Sequence, residues 1–192
     1  MVEISAENEA TMQDLLAVYD DETNAQARYL AFAEKADAEQ MHGVASLCRA
    51  AARAEHFHAA NHARAIRQLG VEAWCTNREV EVKSTLQNMK DALEGERNEI
   101  ASVYPGVLLE AKKQRNRGVI RAFAWALEAE KTHVRLYADA VAQIESGKKD
   151  SWIGMTRRFF VCPTCGCTSE TVEADESCLV CRRPQERFEA VE

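Results

Sequence analysis

Proline is almost missing from the first 160 residues of this 192-residue chain: of three in all, only Pro105 lies there. With so few breakers, a segment rich in Ala, Leu, Glu, Arg and Gln is expected to form long helices. No run of eighteen or more apolar residues is present, so a membrane-spanning helix is not expected. The N-terminal MVEISAENEA lacks the basic-then-apolar order of a secretory leader, which makes the cytoplasm the expected location. Positive charge is short as well, with 24 Lys and Arg against 31 Asp and Glu and a net charge of −7. Phosphate backbones are bound by clustered Lys and Arg, so no nucleic-acid partner is expected. The seven cysteines are unevenly spread: Cys162, Cys165, Cys178 and Cys181 fall within one short stretch, whereas Cys48 and Cys75 stand alone. In a reducing compartment such clustering reads as metal binding rather than disulfides.

What is present is material for one domain of ordinary size plus a small appendage, with 46% hydrophobic residues to build a core. Four long helices can be marked, at about 8–38, 43–69, 85–115 and 118–145. The second stops at Gly70. The third starts after Ser84, whose spacing to Gln87 is a capping-box pattern, and carries an expected kink at Pro105. The first and last helix pairs are joined by short connections and should form antiparallel hairpins. The middle connection, residues 70–84, reaches roughly 50 Å when extended, against roughly 40 Å for the second helix. It can cross the whole bundle, so the second and third helices can run parallel, as in ferritin-like folds. Beyond Gly147 the helical period is lost. The expected organisation is mainly α: a ferritin-like four-helix bundle over 1–147, a linker over 148–157, and a small second domain carrying the four clustered cysteines over 158–192.

Each helix carries the same anomaly. Read at alternating spacings of three and four, the last helix presents Phe123, Leu127, Glu130, Val134, Tyr137, Val141 and Ile144, so Glu130 occupies a core position. Glu22 plays the same part between Leu15 and Tyr29, Glu55 between Ala51 and His58, and Glu96 between Leu93 and Ile100. One buried glutamate has an ordinary explanation in an ion pair or a shifted pKa. Four converging in one interior would repel each other and lose hydration, at several kcal/mol per ion, unless cations sit among them. Glu55-x-x-His58 and Glu130-x-x-His133 each place Glu and His one turn apart on one face. With Glu22 and Glu96 they form the ligand set of di-iron or di-manganese carboxylate bundles, and mixed oxygen and imidazole ligands suit those metals better than a structural zinc. His56 points off the stripe toward solvent. His62 lies on it, either as a core or supporting histidine or as a further ligand. Tyr29 and Tyr104 are either core aromatics or donors to metal-bound carboxylates. Glu99, one turn after Glu96, is either a surface residue or a spare carboxylate; if it faces inward, its hard oxygen favours ferric over ferrous iron.

CPTCG followed by CLVC is a C-x2-C…C-x2-C pattern specific for a tetrathiolate metal site. The spacing leaves iron and zinc both open. A one-electron carrier beside a di-iron site would have a use, since reducing a two-electron oxidant requires that site to be refilled.

With these residues in place the chain resembles rubrerythrins, in which a ferritin-like di-iron domain is fused to a C-terminal rubredoxin-like domain. The matching segments are ETNAQARYLAFAEKA, EHFH, GERNEIASVYP, EKTHVRLY and the cysteine module. The resemblance implies that Glu55 and Glu130 bridge two irons, that Glu22 and Glu96 are terminal carboxylates, and that His133 is a terminal imidazole. It also implies that one iron moves between His58 when reduced and Glu99 when oxidised, with Tyr29 and Tyr104 supporting. The cofactors would be two iron ions and one iron, or zinc, held by Cys162, Cys165, Cys178 and Cys181. The implied activity is NADH-linked peroxidase chemistry: an external reductase feeds the thiolate centre, which feeds the di-iron site, which reduces hydrogen peroxide. The implied assembly is a head-to-tail homodimer or higher homo-oligomer that brings one subunit's thiolate centre near the other's di-iron site. A ferroxidase or iron-handling protein with a structural zinc is the alternative. The chain departs from the family at Cys167, where an aromatic residue is common, and at CRRP, where a small residue usually follows the cysteine. These departures predict a changed arrangement of N–H groups around the sulfurs and a thiol able to oxidise or compete as a ligand.

Overall fold

The computed structural model describes residues 6–147, 152–173 and 176–192. Helices α1 (Ala6–Ala38), α2 (His42–Gln68), α3 (Thr85–Asn98), α4 (Tyr104–Lys113) and α5 (Arg117–Ser146) account for the bundle, with a π-helical turn at Glu99–Val103 between α3 and α4. Strands β1 (Phe159–Val161), β2 (Thr168–Ser169) and β3 (Glu189–Val191) form an antiparallel sheet in the order β2-β1-β3. Of the expected linker 148–157, residues 148–151 lie outside the described residues.

The connection from α2 to α3 runs the length of α1, and its anchors show the direction. Thr76 bonds Asp20 near the middle of α1, Arg78 N–H donates to Asn24 Oδ1 at 3.0 Å, and Thr85 N–H reaches Glu39 Oε2 at 3.0 Å just beyond its end. The chain therefore returns to the end of the bundle where α2 began, and α2 and α3 run parallel. Gly70 closes α2 with φ +81°, a conformation glycine adopts freely. Ser84 caps α3 by accepting Gln87 N–H at 3.3 Å, while the Gln87 side chain turns outward to Asp91 instead of completing a capping box.

The third expected helix differs from the observed one. Instead of a helix kinked at Pro105, the chain makes α3, a π turn and then α4, with Pro105 in the first turn of α4. Proline has no N–H to give to Ala101 and its ring crowds that carbonyl, so the preceding turn widens to i→i+5 bonding.

The bundle core is divided in two. One apolar cluster holds Leu15 and Val18 of α1, Ile66 of α2, Tyr104 and Leu108 of α4, and Phe123 of α5. The other holds Tyr29 and Phe32, Val44 and Leu47, Met89 and Leu93, and Leu136 and Tyr137. Between them α1, α2, α3 and α5 contribute buried polar residues: Glu22, Glu55 and His58, Glu96, and Glu130 and His133. A charged layer is thus sealed from water by apolar packing on both sides. The sheet docks on α2, with Phe159 and Val161 buried against the second cluster and Arg53 paired to Glu189 at 2.7 Å.

Candidate metal centre

The polar layer resolves into two overlapping groups. One ligand atom each from Glu22, Glu55, His58 and Glu130 lie within 4.8 Å of one another, and so do atoms from Glu55, Glu96, Glu130 and His133. Glu55 and Glu130 belong to both, the arrangement a carboxylate needs to join two adjacent cations. His58 Nδ1 is 2.8 Å from Glu55 Oε2 and 2.8 Å from Glu130 Oε1, and 3.7 Å from Glu22 Oε1. His133 Nδ1 is 2.6 Å from Glu130 Oε2 and 3.6 Å from Glu96 Oε2. Two tyrosines brace the outer carboxylates: Tyr29 Oη donates to Glu96 Oε1 at 2.7 Å and Tyr104 Oη donates to Glu22 Oε1.

Six of the seven expected ligands come together. Glu99 stands outside both groups, half-buried on the first residue of the π turn. Burial and the charges of Glu22, Glu96, Glu130 and Glu55 push its carboxyl well above the ordinary range, which places it within the electrostatic reach of the cluster. His56 is exposed. His62 is buried behind Glu22, with Nε2 3.3 Å from Tyr104 Oη and 3.8 Å from Glu22 Oε1.

The charges do not balance without cations. Burial and the neighbouring Glu130 and Glu22 carboxylates raise Glu55 well above its usual pKa, and burial with Glu130 pushes Glu96 up to about 8. Burial acts the same way on Glu22 and Glu130, but facing imidazoles outweigh it: Glu22 falls to about 2, and Glu130 lies well below the carboxylate range. His58 and His133 overcome their own burial beside Glu130 and are raised well above imidazole's usual value. Glu96 Oε2 is buried without a hydrogen-bond donor, and Glu130 Oε1, though 2.8 Å from His58 Nδ1, has no aligned donor either. Protons thus hold together a set of hard oxygen and imidazole donors that two cations would satisfy directly.

The second centre is a pair of cysteine knuckles. Cys162, Cys165, Cys178 and Cys181 bring their sulfurs within 4.8 Å of one another. Cys178 is pulled far below the thiol range by S–H donors on Cys162, Cys165 and Cys167, and Cys165 is pushed far above it by Cys162 and Cys178. One thiolate shared among protons is what a divalent or trivalent cation replaces. The knuckles have one backbone plan. Gly166 N–H donates to Cys162 O and Cys162 N–H to Cys167 O, both at 2.9 Å; Arg182 N–H donates to Cys178 O at 3.0 Å and Cys178 N–H to Arg183 O at 2.6 Å. Although arginine follows the cysteine in CRRP, the second knuckle keeps the main-chain pairing of the first, because Arg182 itself takes the left-handed turn at φ +63°, matching Gly166 at +78°. Cys167 is buried beside the cluster but is not one of the four mutually close sulfurs.

Sequence reasoning missed how the two centres meet. The first knuckle lies against the bundle within the same chain: His58 Nε2–H donates to the Cys165 carbonyl at 3.0 Å, and Asn61 Nδ2 donates to the Thr164 carbonyl at 2.8 Å. A Cβ on Gly166 would sit 2.2 Å from His58 Nε2. Gly166 was visible in CPTCG, but nothing in the sequence says what it approaches. Arg157 N–H bonds Ser46 Oγ at 3.2 Å, so the segment leading into β1 is held beside the start of α2.

A ferritin-like bundle with a buried carboxylate and imidazole dinuclear site, carrying a four-cysteine centre, defines a class of non-haem di-iron proteins. A family model for rubrerythrin matches residues 15–141, and the chain belongs to the rubrerythrin family. It is 32% identical to rubrerythrin-2 of Clostridium acetobutylicum over 97% of this chain and 100% of the relative. Nigerythrin of Nitratidesulfovibrio vulgaris is 28% identical, covering 94% of this chain and 86% of that one. The structure of fully reduced, all-ferrous nigerythrin superposes with a TM-score of 0.81 at 28% identity, over the same shares of the two chains. A bacterioferritin from Desulfovibrio desulfuricans shares the fold, with a TM-score of 0.73 at 19% identity over 81% of this chain and 94% of that one. The cofactors are two iron ions at the Glu/His cluster and one iron, or zinc, at the four cysteines. Among the described residues no helix is long and apolar enough to cross a membrane.

Proposed function

We propose that this chain is a peroxidase of oxidative-stress defence, reducing hydrogen peroxide to water with electrons from an external, NADH-linked reductase that enter through the four cysteines. The observation that carries this reading is the hydrogen bond from His58 to the Cys165 carbonyl, which joins a residue of each centre with no other residue between them. In an iron-handling protein with a structural zinc the same contact would serve only to seat the module.

In this reading Glu22, Glu55, His58 and Glu130 would hold one iron, and Glu55, Glu96, Glu130 and His133 would hold the other. The bound irons supply the two electrons that, with two protons, convert one peroxide to two waters. Tyr29 and Tyr104 each hold a proton against a terminal carboxylate and fix its orientation. Glu99, on the widened π turn, would offer a further hard oxygen ligand suited to ferric iron. The apolar clusters above and below exclude water and strengthen every charge interaction inside. The assembly in this reading is the homodimer or higher homo-oligomer that the resemblance implies. Glu55→Ala tests the site: peroxide turnover should be lost while the thiolate colour remains, and normal turnover in that variant would show the site is misplaced.

A further inference from the structure

The two imidazoles turn their outer nitrogens toward the four-cysteine module, and they meet different atoms there. His58 meets the Cys165 carbonyl. His133 Nε2 lies 3.1 Å from the hydroxyl of Thr168, the first residue of β2. Thr168 is 2% exposed and held on three sides. Its main-chain N–H donates to Thr132 Oγ1 at 3.2 Å, its hydroxyl donates to the Gly166 carbonyl at 3.0 Å, and Val161 pairs with it across the sheet. A hydroxyl carries one hydrogen. With that hydrogen on Gly166 O, Thr168 Oγ1 can only accept from His133, so Nε2 carries the N–H and Nδ1 is left to face the carboxylates.

We propose that Thr168 is a positioning residue for the dinuclear centre: one hydroxyl from the four-cysteine module sets the tautomer and ring orientation of His133. The module then orients both imidazoles, His58 through a carbonyl and His133 through a side chain. This rests on the reading of His133 as a metal ligand. Outer partners of metal-bound histidines act on metal affinity by fixing the ring and its tautomer, and a threonine supplied by an appended module makes one metal position depend on that module being seated.

The test is anaerobic titration of ferrous iron alone into the 192-residue chain and its variants, resolving the affinities of the two positions. In Thr168→Val, which keeps the shape and removes the hydroxyl, one position should weaken by about ten- to a hundredfold while the other stays near wild type. Thr168→Ser should restore it. A merely structural role would weaken both positions equally or neither, and either result overturns the proposal, as does failure of Thr168→Ser to restore binding. His133→Ala separates the two readings. If it weakens one position while Thr168→Val does not, only this inference fails; if it leaves both positions at wild-type affinity, the ligand assignment fails as well. A measurement on the unaltered chain guards against misfolded variants: loaded with zinc as a diamagnetic stand-in, His133 should show a slowly exchanging Nε2–H by NMR. An Nδ1–H tautomer, or a freely exchanging Nε2–H, would overturn the proposal whatever the variants do.

Discussion

The two cysteine knuckles share one backbone and differ in what lies outside it. In each, the residue after the second cysteine takes a left-handed φ and bonds back to the first cysteine. The first knuckle presses that residue, Gly166, against His58, and its Cys165 is fully buried. The second presents Arg182 to solvent, and its Cys181 is half-buried. Since Arg182 adopts the same turn, conformational freedom alone does not require glycine at 166. Close approach does: glycine is where the module lets an imidazole come near enough to bond the cysteine carbonyl behind it. One knuckle serves contact within the protein, and the other is left open to the outside.

The most damaging way to break this comparison is to make the first knuckle like the second. Gly166→Ala strains the left-handed turn by about 1 kcal/mol, as Arg182 already does in its own knuckle, and also places a methyl where His58 Nε2 sits, so the module must shift away. Electron passage to the di-iron site, read as re-oxidation of the thiolate centre by peroxide, should slow by up to about a hundredfold, the cost that a misplacement of about 1 Å can reach. The thiolate absorption should persist, and an unchanged rate would remove the contact from the account.

A smaller effect concerns what the buried knuckle faces. In the metal-free chain Glu96 is pushed up to about 8 by burial and by Glu130, and His58 and His133 are raised by the same carboxylates, so all three hold protons at neutral pH. A cation must displace those protons. Ferrous affinity should therefore fall as pH drops below about 8, by about tenfold per pH unit for each proton released. Ferrous titrations at pH 6 and pH 8 in weak buffer check both the sign and the proton release, and a pH-independent affinity would contradict the charge balance described for the cluster.

The smallest effect belongs to the exposed knuckle. Arg182 adopts its left-handed turn against its own Cβ, and Arg182→Gly should raise the stability of the module by about 1 kcal/mol. Thermal unfolding of the metal-loaded protein reads this, and a loss of stability would mean the arginine side chain holds the knuckle.

How far the sequence shows this can be judged residue by residue. The crossover, the four-helix topology and the polar layer follow from patterns that act within one helix or one loop: length, caps, and a carboxylate where an apolar residue belongs. The stripe on α5 was legible only in part. Leu127, Val134, Val141 and Ile144 are only partly buried, whereas Ala122, Ala126, Ala129 and Leu136 are buried, because packing against α2 and the cysteine module turns the buried face toward small residues that carry little hydrophobic signal. The π turn was hidden because proline announces a break without saying which hydrogen-bond pattern relieves it. Gly166, Thr168 and Asn61 were least visible, since their parts depend on how one module lies against the other, and no periodicity within either records that.

The measurement closest to the central claim starts with the fully reduced protein, mixed anaerobically with hydrogen peroxide in a stopped-flow instrument while the visible ferric-thiolate absorption is followed. The account predicts that the band returns much faster with peroxide than with dioxygen, because electrons leave the four-cysteine centre through the contact at Cys165 and His58. A protein replete with iron at its carboxylate site that shows no such band and holds zinc in its cysteines, or one whose band returns no faster with peroxide than with dioxygen, would contradict it.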